Sequence, residues 1–267
     1  MIKDLSRRCR VAAMLWMMTA AAHAVPLDAL GKFWTDDLSR VPYRAIETPG
    51  RIANERVPLI VFLHGDYQDG TNNETQLGGY GNGSLELVDA AIRNHIPLIY
   101  IAPETTNAYW PPSRILSAVV DALKRFPQID PRRIYLTGIS DGATGVWDAM
   151  KTWPQCFAAA VPMSGMTELA GLAPITSVPE WVFHGGKDND TNIETGYGGA
   201  MVGSRAVVRA LRALGATPKY TEYADELHVI WQHAYGTRDL LPWMLQQKLP
   251  RAACDFKTLT PSGSPSR

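Results

Sequence analysis

The chain has 267 residues, 46% of them hydrophobic and 19% charged, with 26 basic and 26 acidic side chains. That length suits one large α/β domain or two small ones, and that composition fits a globular chain and excludes a disordered one. The balanced charge leaves no basic patch of the kind that engages nucleic acid.

Residues 1–24 read as a removable secretory signal. Lys3, Arg7, Arg8 and Arg10 form a basic start, Val11 to Ala22 is apolar but short for a membrane span, and Ala22-His23-Ala24 fits a cleavage site. Arg7-Arg8 adds a faint twin-arginine signature. Removing four basic residues and one acidic residue leaves 22 basic and 25 acidic, a net charge of −3. Cys9 leaves with the segment, so Cys156 and Cys254 remain. A pair of cysteines in an exported protein can form a disulfide, although sequence does not show that the two meet. The expected destination is therefore the periplasm or the medium, with no stable membrane insertion after cleavage.

Pro58 to Leu63 is a continuous apolar run, the pattern of a strand buried on both faces. His64-Gly65-Asp66 follows it directly, and Leu98 to Ala102 repeats the strand pattern. Ile115, Ala118, Val119, Ala122, Leu123 and Phe126 keep the spacing of one buried helix face, bracketed by Pro111-Pro112 and Pro127. Arg133 to Thr137 reads as a strand, and Ala143 to Met150 as a helix. Between them lies Gly138-Ile139-Ser140-Asp141-Gly142. A G-x-S-x-G between strand and helix is a nucleophile elbow, with the serine held on a turn so sharp that glycines are needed on either side of it. Further strands are expected at Phe157 to Met163, Val178 to Phe183 and Lys219 to Tyr223. A helix is expected around Val207 to Leu214 with Gly215 as its cap, and a single closing helix over Trp231 to Gln247. Alternating strands and helices imply one mostly parallel sheet, helices on both faces, and a site at the carboxyl ends of the strands. One catalytic domain is expected over 25–249, with Pro250 to Arg267 as a loose tail.

A serine hydroxyl needs a base beside it, and in this chain order an acid and then a histidine should follow the serine. His228, in the loop after the last strand, is the expected base, with His233 as the rival. Asp188, just past the strand that ends Trp181-Val182-Phe183-His184-Gly185, is the expected acid, with Asp190 as the rival. The backbone N–H groups of Asp66 and Asp141 should face the developing oxyanion. Tyr67, Tyr109, Trp110 and Trp231 fall on or near the same loops and are candidate walls of a substrate pocket. Asp188, Asp190 and Asn192 imitate the start of a calcium loop, but Ile193 and Gly199 stand where it needs glycine and glutamate, so no metal is expected.

The segments FLHGDYQDGTNNETQL (62–77), IYLTGISDGATGVW (134–147), WVFHGGKD (181–188) and Tyr220 to Tyr235 resemble, in order, the oxyanion, nucleophile, acid and histidine segments of one family. This is the secreted esterase or "predicted peptidase" branch of the α/β-hydrolases, similar to feruloyl and acetylxylan esterases and polyhydroxybutyrate depolymerases. The resemblance runs from about Val41 to Leu249. It implies the α/β-hydrolase fold, a Ser140, Asp188, His228 triad, no cofactor, and a small-molecule or polymer-borne ester as substrate. Alternatives are a serine peptidase of the same fold and a non-catalytic carbohydrate-binding protein on that scaffold. Two departures stand out: Asp141 replaces the usual apolar or amide side chain after the nucleophile, and Asp66-Tyr67 replaces smaller residues.

Overall fold

In the computed structural model, residues 25–78, 82–107, 109–251 and 254–256 are described. The expected signal, residues 1–24, lies outside them. Eight strands form the central sheet. In chain order they are β1 (Gly31–Trp34), β2 (Pro42–Glu47), β3 (Val57–Leu63), β4 (Ile99–Pro103), β5 (Ile129–Ile139), β6 (Ala159–Met163), β8 (Trp181–Gly185) and β10 (Lys219–Tyr223). Their spatial order is β1-β2-β4-β3-β5-β6-β8-β10. β2 runs antiparallel to both β1 and β4, and the pairs from β4 to β10 are parallel. Two short strands, β7 (Met166–Glu168) and β9 (Met201–Gly203), make a separate antiparallel ribbon.

The continuous apolar runs are explained by two cores. Leu59, Val61 and Leu63 of β3 pack on one face with α2 (Pro112–Arg125), α3 (Asp141–Thr152) and α4 (Ser204–Ala213). The alternate residues Ile60 and Phe62 pack on the other with α1 (Leu85–Arg93), α5 (Trp231–Tyr235) and α6 (Leu240–Gln246). A strand covered on both faces has no polar side, which is why these runs do not alternate.

Two expectations need correction, and two strands were missed. The closing helix over 231–247 is two short helices, α5 and α6, because the chain turns at Gly236 and restarts after Asp239. Within the expected tail, Cys254 is disulfide-bonded to Cys156, and Cys254 and Phe256 are buried in the first core, while 252–253 and 257–267 lie outside the described residues. β1 and β2 went unread because β2 breaks the apolar pattern. Its Arg44 is buried, with Nε donating to the Leu30 carbonyl at 2.8 Å.

The register aligns the ends that matter. Leu63 pairs with Gly138, Ile139 with Met163, and Met163 with Phe183. The carboxyl ends of β3, β5, β6 and β8 therefore open at one level, on one edge of the sheet.

Candidate active site

Ser140 links β5 to α3 with φ 52° and ψ −120°, a left-handed conformation that costs a non-glycine residue energy and is held only where the surroundings enforce it. Here they do. The Ser140 N–H donates to the Met163 carbonyl at 2.9 Å, and its carbonyl accepts from Ala143 and Thr144, starting the helix. The flanking glycines are required by contact. A Cβ on Gly138 would stand 2.5 Å from the Gly142 carbonyl oxygen, and one on Gly142 would stand 2.1 Å from that of Leu63.

Three residues from separate segments meet at this elbow. His228 Nε2 lies 2.9 Å from Ser140 Oγ, and His228 Nδ1 lies 2.7 Å from Asp188 Oδ2. A carboxylate only accepts, so Nδ1 carries the hydrogen and Nε2 is left to accept the serine proton. Asp188 Oδ1 accepts the N–H groups of Asp190 at 2.9 Å and Thr191 at 2.8 Å. Burial works to raise the Asp188 pKa, but hydrogen bonds from His184 and His228 overcome it and hold the carboxyl well below the usual carboxylate range. The His228 backbone is pinned as well: its carbonyl accepts from Ser164 Oγ at 3.0 Å. Ser164 went unread in the sequence, where an isolated serine after a strand carries no signal.

The rival residues sit elsewhere. His233 is on the surface of α5, with Nδ1 2.6 Å from Glu226 Oε1 and its ring stacked on Tyr223. Asp190 faces the cavity rather than His228.

The loop after β3 closes over the elbow. A Cβ on Gly65 would stand 3.1 Å from Ser140 Cβ, so the chain at Gly65-Asp66 lies against the serine. His64 anchors this loop: its Nδ1 donates to the Gly65 carbonyl at 2.8 Å, and its Nε2 accepts from the Thr105 N–H at 3.1 Å. Burial brings its pKa down to about 4, so it stays neutral. Asp66 and Asp141 flank the serine, one on this loop and one opening α3. Burial first, then the charge of Asp66, pushes the Asp141 carboxyl above its ordinary value.

A cavity of about 520 Å³ opens over Ser140 and His228. Asp66, Asp141, Asp190, Tyr67, Tyr197 and Trp231 line it, together with Gln68, Asn189 and Val229, and among the described residues no lysine or arginine does. Another cavity of about 560 Å³, lined by Asp37, Ser117, Ile129 and Phe256, is roomier, but among the described residues no histidine lines it to serve a serine, so the smaller one is the candidate site. Tyr67 and Trp231 fall in the wall as expected. Trp110 does not: it is buried, its Nε1 donates to the His64 carbonyl at 2.9 Å, and it rests on Gly145, so it supports the loop from behind. Tyr109 is exposed and outside the wall. Tyr197 was missed, since it lies in a glycine-rich stretch with no strand or helix pattern.

A parallel sheet with helices on both faces and a strand–serine–helix turn at its carboxyl edge define the α/β-hydrolase fold, and the chain has it. Among solved structures it is similar to a thermostable esterase, with 28% identity, a TM-score of 0.71, and coverage of 83% of this chain and 64% of that one. It thus spans about two thirds of the esterase's length. An acylaminoacyl peptidase of Pyrococcus horikoshii is similar at 14% identity and a TM-score of 0.63, over 83% of this chain and 42% of that one. A dienelactone hydrolase-type protein of Klebsiella pneumoniae is similar at 16% identity and 0.55, over 81% of this chain and 98% of that one. No family model matches the sequence, and no curated protein matches it.

Proposed function

We propose that this protein is an exported serine hydrolase that cleaves carboxylic esters through a Ser140-His228-Asp188 triad. The observation that carries the reading is the hydrogen-bonded chain from Asp188 through His228 to a serine in a strained turn, opening onto a cavity. Ser140 Oγ attacks the acyl carbon while His228 Nε2 takes its proton. The negative oxygen of the tetrahedral intermediate is met by the N–H groups of Asp66 and Asp141, the second at the positive end of α3. His228 returns the proton to the leaving alkoxide as the carbon–oxygen bond breaks. A water then repeats the cycle on the acyl-enzyme, releasing the acid and restoring Ser140. Asp188 stays ionised throughout and stabilises the imidazolium.

The likeness to an esterase supports ester over amide cleavage, and the Cys156–Cys254 disulfide supports an oxidising compartment reached after cleavage at Ala24. A fluorophosphonate should label the wild-type protein and not Ser140→Ala; equal labelling of both overturns the nucleophile. Aminoacyl p-nitroanilides hydrolysed faster than p-nitrophenyl esters would replace the esterase reading with the peptidase one. Oligosaccharide binding without any ester turnover would replace it with the binding protein.

A further inference from the structure

Asp188 is gripped by two histidines, and only one of them reaches the nucleophile. Its Oδ2 lies 2.7 Å from His228 Nδ1 and 2.9 Å from His184 Nε2. His184 is in β8, four residues before Asp188, and is fully buried. Its Nε2 faces two acceptors, Asp188 Oδ2 and the Thr191 carbonyl at 3.0 Å, so this nitrogen carries a hydrogen. Its Nδ1 lies 2.7 Å from Ser204 Oγ, the first residue of α4. Ser204 also approaches the Gly165 carbonyl, but at 3.3 Å. The shorter contact assigns the Ser204 hydroxyl hydrogen to His184 Nδ1. Ser204 therefore fixes the tautomer of His184, as Asp188 fixes that of His228.

The four donors divide evenly. Two backbone N–H groups hold Oδ1, and two ring N–H groups hold Oδ2. Together they set the position and plane of the carboxylate. Without His184, one donor would leave a dry site where each unmet hydrogen bond to a charge is costly. The hydrogen bond from His184 is also the largest of those that oppose the effect of burial on Asp188.

We propose that His184, oriented by Ser204, is a positioning residue for the triad: it aims Asp188 Oδ2 at His228 without touching substrate. The role rests on the reading of Ser140 as nucleophile. A satisfied core histidine would make the same contacts for stability alone, so the test must separate rate from folding. We would measure kcat and KM on p-nitrophenyl acetate, with a thermal melt for each variant, using the full chain. Partners that orient metal-ligating residues typically contribute 10- to 100-fold, and the same order is expected of a partner that orients Asp188. Folded His184→Leu should lose about 30-fold in kcat with KM within about twofold. His184→Gln, which offers an amide N–H near the place of Nε2, should recover to within about fivefold of wild type, and Ser204→Ala should lose about threefold. Wild-type kcat in folded His184→Leu, or a glutamine variant no better than the leucine one, overturns the proposal. If the leucine variant does not fold, Ser204→Ala decides: a lower kcat at constant KM supports the role, and wild-type kcat overturns it. Ser140→Ala run in parallel separates the two readings. If it stays active, the hydrolase reading falls; if it is dead while His184→Leu is fully active, only the positioning role falls.

Discussion

The two ends of β8 treat a buried carboxyl in opposite ways. Glu180 precedes the strand, is 2% exposed, and has no partner for Oε1 among the described residues. Burial pushes its pKa up to about 8. Asp188 follows the strand, is 5% exposed, and is held well below the usual range, because donors from His184, His228 and two backbone N–H groups overcome burial. At the amino end the nearby backbone donors are occupied by the sheet: the Lys219 N–H serves the Glu180 carbonyl, and the Ala160 N–H serves that of Pro179. At the carboxyl end the chain turns, and the turn frees N–H groups to point at a side chain. Burial sets the cost of a charge; the supply of donors decides whether the charge survives.

The pH dependences have opposite signs. The depressed pKa of Asp188 contributes stability above the ordinary carboxylate range, about pH 4, and that stability is lost as pH falls below it. The raised pKa of Glu180 means that the folded state holds a proton the unfolded state has released. Its cost is absent below about pH 4.5 and grows as pH rises toward 8.

The largest test of this contrast replaces the ionised end. Asp188→Asn should lower kcat on an activated ester by about 10⁴-fold, while Asp190→Asn should stay within about fivefold of wild type. Equal losses would remove the distinction between the two aspartates. The next concerns the amino end, where Cys156 ties the approach to β6 to Cys254 across 98 residues. Cys156→Ser should cost about 4 kcal/mol and lower Tm by roughly 10 °C, with kcat at 25 °C nearly unchanged. A collapse of kcat in the folded variant would show that the two ends are not independent.

Glu180→Gln isolates the orphan carboxyl. The gap between 4.5 and about 8 bounds its cost at roughly 5 kcal/mol above pH 8. After relaxation we expect about 2 kcal/mol, or roughly 5 °C in Tm at pH 9, and almost no gain at about pH 4. A gain independent of pH would mean that Glu180 stays ionised in the fold. The smallest effect is expected at Asp141, which lines the cavity beside Ser140 and whose carboxylate, under the proposed mechanism, would oppose the charge developing on the oxyanion. Asp141→Asn should raise kcat/KM on a neutral ester about fivefold, or about 1 kcal/mol. A fall would show that its side chain points away from the oxyanion or binds the substrate.

Much of the fold is legible because its cause is local. β3 and the nucleophile turn announce themselves, since a strand covered on both faces must be apolar throughout and the elbow admits only glycine two residues to either side of its serine. The failures are equally physical. The period of α5 and α6 reads as one helix because both present apolar residues to the same core, and the break between them is set by the turn rather than by a proline. Trp110 looks like a pocket wall because a tryptophan after a strand gives no sign of its direction; contact with Gly145 and His64 turns it inward.

By itself the sequence determined the alternation of strands and helices, the glycines around Ser140, and the order of serine, acid and histidine along the chain, all of which depend on neighbours or on order. Only the tertiary structure brought Asp188, and not its rival Asp190, within hydrogen-bond reach of His228, placed His184 and Ser204 behind it and Ser164 beneath His228, and brought Tyr197 into the cavity. His228 meets partners 40, 64 and 88 residues away. Contacts across such distances are made by the register of β5, β6 and β8, and no local pattern of residues encodes them.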